Sequence, residues 1–126
     1  MQYAYKVQSL YTGNKQMPEQ NVLLLVRDDT VVGIAPWSEE KICLENGWSL
    51  QEFSGSFVMR GMIDGHVHMI VPGDGTTAED CLRCRSYGEI LLTSARNGRR
   101  ALESGVTVLR DCGALPDIVF ELRRCI

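Results

Sequence analysis

The chain has 126 residues, 44% of them hydrophobic, with thirteen basic and sixteen acidic side chains and a formal net charge of −3. That length suits one ordinary domain, and the composition is too apolar and too weakly charged for a disordered chain. Up to Ile63 five basic side chains stand against seven acidic ones, and after it eight against nine, so neither half is a basic arm for nucleic acid or anionic lipid.

Residues 1 to about 58 read as short strands between polar turns. Ala4, Val7, Leu10 and the neighbouring tyrosines form one apolar segment, ended by Thr12-Gly13-Asn14. Val22 to Val26 follows, and Asp28-Asp29 separates it from Val31-Val32-Gly33-Ile34. Two such runs joined by a few turn formers predict a hairpin. Glu39 to Leu44 predicts one turn of helix before Gly47. Trp48 to Phe53 alternates imperfectly, and Ser54-Gly55-Ser56 reads as a turn into Phe57-Val58-Met59. The expectation for this half is a small antiparallel β unit.

From residue 59 the character changes. Met62 to Val71 is strand-like and largely apolar, as expected of a strand buried on both faces. Pro72-Gly73-Asp74-Gly75 breaks it. Ser86-Tyr87-Gly88-Glu89 matches a capping box and predicts a long helix with Leu91, Ala95, Gly98 and Leu102 on one face. Gly105 sits where a C-terminal glycine belongs. Val106 to Leu109 reads as a second strand, and Pro116 opens a second helix with Ile118, Val119, Leu122 and Ile126 on one side. Strand, helix, strand, helix implies parallel strands joined by right-handed crossovers, an α/β arrangement. The last helix lacks a capping glycine and stops on Ile126 in mid-pattern, as expected of a fragment.

Met1 to Lys6 has no signal-peptide pattern, and the longest purely apolar run, Val22 to Val26, is far short of a membrane span. The five cysteines, Cys43, Cys81, Cys84, Cys112 and Cys125, are an odd number for a disulfide framework. They predict a reduced, cytoplasmic protein, and with the charge balance and the short apolar run the expectation is no nucleic-acid and no membrane partner.

The chemistry concentrates at the only two histidines. Asp64, His66 and His68 are spaced by two, so on a strand all three share a face. Two imidazoles so placed can grip one Zn²⁺, and a nearby carboxylate can orient a ring or join the ligands. The plain alternative is two ordinary strand histidines with Asp64 starting a turn. The apolar strand, the preceding Gly61 and the turn-rich exit favour the metal pair.

Gly61-Met62-Ile63-Asp64-Gly65-His66-Val67-His68 resembles the first-strand signature of the amidohydrolase superfamily of metal-dependent hydrolases. Upstream, Val22 to Ile34 and Phe53 to Val58 resemble that family's small β-sandwich. Downstream, Ala95-Arg96-Asn97, Ala101 to Thr107 and Arg110-Asp111 resemble its first barrel helix and second strand, most closely in the imidazolonepropionase- and prolidase-like branch. Arg60 stands where a proline is usual and Val108 where a second threonine is common. The resemblance implies a partial β-sandwich over 1–58 and the first two βα units of a TIM-type barrel over 59–126. It further implies one or two divalent ions, zinc above all, with His66 and His68 as ligands and Asp64 supporting them. The implied reaction is hydrolysis of a C–N bond in a small-molecule substrate by a metal-activated water. Asp111 would lie on the site-facing rim, although a cap or a partner for Arg110 is the plainer role. A full barrel takes roughly 250 residues. The family's later ligands, a carboxylated lysine, two more histidines and an aspartate, have no counterpart here, because Lys6, Lys15 and Lys41 all precede His66. The chain alone is therefore expected to be inactive.

Two other readings compete. Cys81-Leu82-Arg83-Cys84 with His66 and His68 offers four ligands for a small structural zinc module. A redox role for the cysteine pair is weaker, since no thioredoxin-like strand precedes it. Alternatively, the unfinished sheet and its apolar faces suit a non-catalytic module that forms homo-oligomers. Gly73-Asp74-Gly75 lacks the lysine of a phosphate-binding loop. Arg99-Arg100 and Arg123-Arg124 read as solvated helix faces, and Trp37 and Trp48 as packing or surface anchors.

Overall fold

The computed structural model describes residues 1–14, 16–113 and 115–126, with Ser54 described by its backbone alone. The chain divides into two compact units, Met1–Arg60 and Gly61–Ile126.

The first unit is a four-stranded sheet. Strands β1 (Gln2–Tyr11), β2 (Glu19–Arg27), β3 (Thr30–Pro36) and β4 (Ser49–Met59) lie in the order β3-β2-β1-β4. The β2–β3 hairpin forms where the sequence predicts it, and Asp28 takes the left-handed conformation at its turn, φ 56°. A short 3₁₀ turn at Trp37–Glu39 leads into helix α1 (Glu40–Glu45), and Gly47 follows it at φ +80°. Ala4, Leu23, Ala35 and Cys43 form one buried cluster and Val7, Leu10 and Val22 another. Trp37 is a packing anchor as expected, and its indole N–H is shared between the carbonyls of Val7 at 3.1 Å and Val22 at 3.0 Å.

Two expectations fail in this unit. The sheet is mixed, because β4 runs parallel to β1. Ser54-Gly55-Ser56 is also no turn, since β4 is continuous from Ser49 to Met59. Along the β1 edge Val7 pairs with Phe53 but Ser9 with Phe57, so β4 carries the extra residues as an irregularity inside the strand. The Ser56 hydroxyl donates to the Phe53 carbonyl across it. Turn-forming residues here serve a bulge.

The second unit runs β5 (Met62–Val67), α2 (Ala78–Cys84), α3 (Tyr87–Glu103), β6 (Val106–Asp111) and α4 (Pro116–Cys125). β5 and β6 pair in parallel, as the alternation of elements implies. The capping box is complete: Ser86 Oγ accepts from Glu89 N–H while the Glu89 carboxylate accepts from Ser86 N–H at 2.8 Å. Gly105 closes α3 at φ +87°, and Pro116 stands in the first turn of α4. Ile70, Ile90 and Ile118 form the buried cluster, with Val71, Ala78 and Leu91 against it.

Here too the sequence misleads in places. β5 stops at Val67 and is exposed along almost its whole length, not buried on both faces. It pairs with β6 alone among the described strands, so apolar side chains such as Ile63 stay 74% exposed. The buried face of α3 is Ile90, Thr93 and Ser94, about one residue around the helix from the predicted stripe. Leu102, placed on that stripe, is exposed. Cys81-Leu82-Arg83-Cys84 lies on helix α2. On α4, Ile118 is buried as expected but Ile126 is exposed.

Candidate metal centre

Strand β5 presents Asp64 and His66, and His68 is the first residue beyond its end. The alternation of an extended backbone brings the two imidazoles together, with ring centroids 5.2 Å apart and planes at 76°. Two imidazoles bound through nitrogen at about 2.0–2.1 Å to one tetrahedral ion place their centroids about 5 Å apart. The pair therefore has the spacing that a shared ion requires. Both histidines are solvent-exposed, and a Cβ added at the intervening Gly65 would meet open space.

Asp64 plays a narrower part. Its Oδ1 accepts from the His66 backbone N–H at 3.0 Å, so the carboxylate is engaged with its own strand. Among the described residues no three His, Cys, Asp or Glu side chains gather as a metal cage. The chain offers a pair of imidazoles. Cys81 is fully buried on α2 while Cys84 is exposed on the same helix, and the two do not join His66 and His68. The four-ligand zinc module is thus not formed.

The segment after His68 is held from three sides. The His68 carbonyl accepts from Val71 N–H at 3.1 Å, closing a turn whose Met69 and Ile70 side chains are buried. From α3, Asn97 Nδ2 donates to the carbonyls of Met69 and Val71, both at 2.8 Å. From the end of β6, the Asp111 carboxylate accepts from Met69 N–H at 3.1 Å through Oδ2 and from Gly113 N–H at 3.0 Å through Oδ1. Cys112 N–H donates to the Val67 carbonyl at 3.0 Å, extending the β5–β6 contact past the strands. Farther along the exit, Thr76 donates to Asp74 and holds its carboxyl below the usual carboxylate range.

Of the plain roles that the sequence left open for Asp111, a backbone cap is the one observed. Asn97 and Gly113 are missed by sequence reasoning. Both act on residues far back along the chain, Asn97 on Met69 and Val71 and Gly113 on His68, and no local pattern marks either.

No protein-family model matches the chain, and no curated protein does. Solved structures do match. A phenylurea hydrolase B aligns with 98% of this chain and 27% of its own at 19% identity and a TM-score of 0.78. A Xaa-Pro dipeptidase with bound methionine aligns with 100% of this chain and 30% of its own at 13% identity and a TM-score of 0.76. Escherichia coli guanine deaminase aligns with 100% of this chain and 34% of its own at 18% identity and a TM-score of 0.75. The likeness is one of fold, shared with the matching parts of two hydrolases and a deaminase. The chain spans between a quarter and about a third of each of those structures. Among the described residues no helix is long and apolar enough to cross a membrane.

Proposed function

We propose that the chain is the N-terminal part of a metal-dependent hydrolase of C–N bonds. In this reading residues 1–58 contribute part of a β-sandwich and residues 59–126 the first two βα units of a TIM-type barrel. The observation that carries it is the His66–His68 pair, whose ring spacing of 5.2 Å suits one shared ion. The likeness in fold to a phenylurea hydrolase, a dipeptidase and a guanine deaminase supports an amide, peptide-like or cyclic amide bond in a small molecule as the target.

His66 and His68 would hold a divalent ion, zinc by the borderline character of imidazole. Such an ion supplies Lewis-acid polarisation and activation of water when bound. The chain's own residues set the pair in place: Asp64 fixes the peptide of His66, and Asn97 and Asp111 fix the peptides that follow His68. Two imidazoles fill only half of a tetrahedral shell. The 126 residues by themselves are therefore a weak metal site without turnover. Reduced cysteines, two of them buried as thiols, support a cytoplasmic setting. Exposed apolar side chains on both units support association into homo-oligomers.

Titration with Zn²⁺, or with Co²⁺ followed by its visible spectrum, tests the reading. One ion per chain, lost in the His66→Ala and His68→Ala variants, is the expected result. Binding that survives removal of both imidazoles would sink it. Metal-dependent amide hydrolysis by the 126-residue chain would overturn the stated inactivity.

A further inference from the structure

We propose that Asp111 is a positioning residue for His68, acting through Gly113, an inference that rests on the metal-pair reading above. A single carboxylate holds both sides of the His68 ring's surroundings. One oxygen accepts from the N–H of Met69, the residue joined to His68, and the other accepts from the N–H of Gly113. Gly113 in turn lies directly against the ring. A Cβ built there would stand 2.4 Å from His68 Nδ1 and 2.5 Å from Cε1, closer than real Cβ contacts come. Asp111 therefore ties the peptide that carries the imidazole to the peptide that packs on it.

The arrangement explains why this glycine has no side chain. Any larger residue at 113 would drive into the Nδ1–Cε1 edge and rotate the ring. With that edge closed by Gly113, the opposite edge carrying Nε2 is the one left open. His66 has a different support, since its N–H is held by Asp64 on the same strand. The clasp is thus specific to one member of the pair. Outer groups of this kind set the orientation of metal-binding imidazoles, and their removal commonly lowers affinity about 10–100-fold.

The test uses the 126-residue chain and two readouts. Imidazole and amide NMR signals are followed in the metal-free protein, and Zn²⁺ alone is titrated. In Asp111→Ala the Met69 and Gly113 amides lose protection. The contact between the His68 ring and the Gly113 α-protons disappears, and the His66 ring signals stay in place. Zn²⁺ affinity falls at least about 10-fold. Gly113→Ala, which keeps the carboxylate, shifts the His68 ring signals alone. Should Asp111→Ala unfold the second unit, Asp111→Asn retains one acceptor oxygen and must loosen one of the two amides together with the ring. An unchanged His68–Gly113 contact in the folded Asp111 variants overturns the proposal. Absence of Zn²⁺ binding in the wild type would instead count against the metal reading, because the metal-free ring signals still decide the clasp.

Discussion

Gly61 and Thr107 are in such close contact that a Cβ at Gly61 would lie 2.2 Å from Thr107 Oγ1 and Cγ2. Gly61 immediately precedes β5, and Thr107 lies in β6 beside the Met62–Val106 pairing that starts the parallel ladder. Thr107 is short and β-branched, so it has no flexible end to swing away. Gly61→Ala is expected to destabilise the second unit by about 1–3 kcal/mol, the usual cost of overpacking. Chemical denaturation followed by far-UV circular dichroism checks this. Thr107→Ala in the same background should restore only part of the loss, because it removes Oγ1 and Cγ2 but leaves its own Cβ 2.7 Å from the new one.

Helix α3 should weaken in acid for a reason visible at its first turn. Bonds from the Ser86 backbone N–H and hydroxyl hold the Glu89 carboxyl below its ordinary pKa of 4.5. A depressed carboxyl contributes stability that is fully present above the unfolded value and lost as pH falls through the folded one. The stability gap between wild type and Glu89→Gln should therefore be full at neutral pH and close in acid. Ser86→Ala removes the other half of the box and is expected to cost about 1 kcal/mol at neutral pH. Urea titrations across the acid range measure both.

These caps, the Asp28 turn and the strand–helix alternation were legible because local chemistry alone specifies them. So was the histidine pair, since spacing by two along a strand fixes a shared face. The parallel docking of β4 was not legible. It depends on which edge of the sheet a strand meets, and the Ser54-Gly55-Ser56 run reads the same for a turn as for a bulge. The depth of β5 was misread because apolar composition reports what a strand could bury, and β6 is its single partner among the described strands. Asn97 and Gly113 were missed because their contacts reach 28 and 45 residues back along the chain, beyond any local pattern.

The cysteines separate by burial, which a labelling experiment reads directly. Cys43 and Cys81 are buried, whereas Cys84, Cys112 and Cys125 are exposed. Burial also pushes the Cys43 thiol up, away from the reactive thiolate. Brief alkylation of the native chain near neutral pH is expected to modify the three exposed thiols, and all five after denaturation, by intact mass. Added Zn²⁺ should leave Cys84 as reactive as before. Protection of Cys84 by the metal would revive the four-ligand module that the geometry disfavours.

Asn97→Ala tests the support beneath the exit from the histidine pair. The side chain satisfies two part-buried carbonyls, those of Met69 and Val71, each at 2.8 Å. Alanine leaves both without that donor, and stranding such groups costs about 1–3 kcal/mol. Faster amide exchange over residues 69–71 is expected, with the first unit unchanged. Asn97→Asp should be worse than alanine, because a carboxylate would then face two carbonyl oxygens.

Ile63 and Val108 pair across β5 and β6, and both are exposed, at 74% and 51%. Adjacent partners in a parallel ladder share a face, so they form a continuous apolar spot on the sheet. Leu92 and Leu102 on α3 are exposed as well. Large apolar side chains left this exposed favour association over contact with water. The weight-average mass of the chain is therefore expected to rise with concentration in sedimentation equilibrium. Ile63→Lys should lower that rise without loss of helical signal, since position 63 buries little within the chain. An unchanged rise would place the association on another surface, and a strictly monomeric wild type at high concentration would end the oligomer proposal.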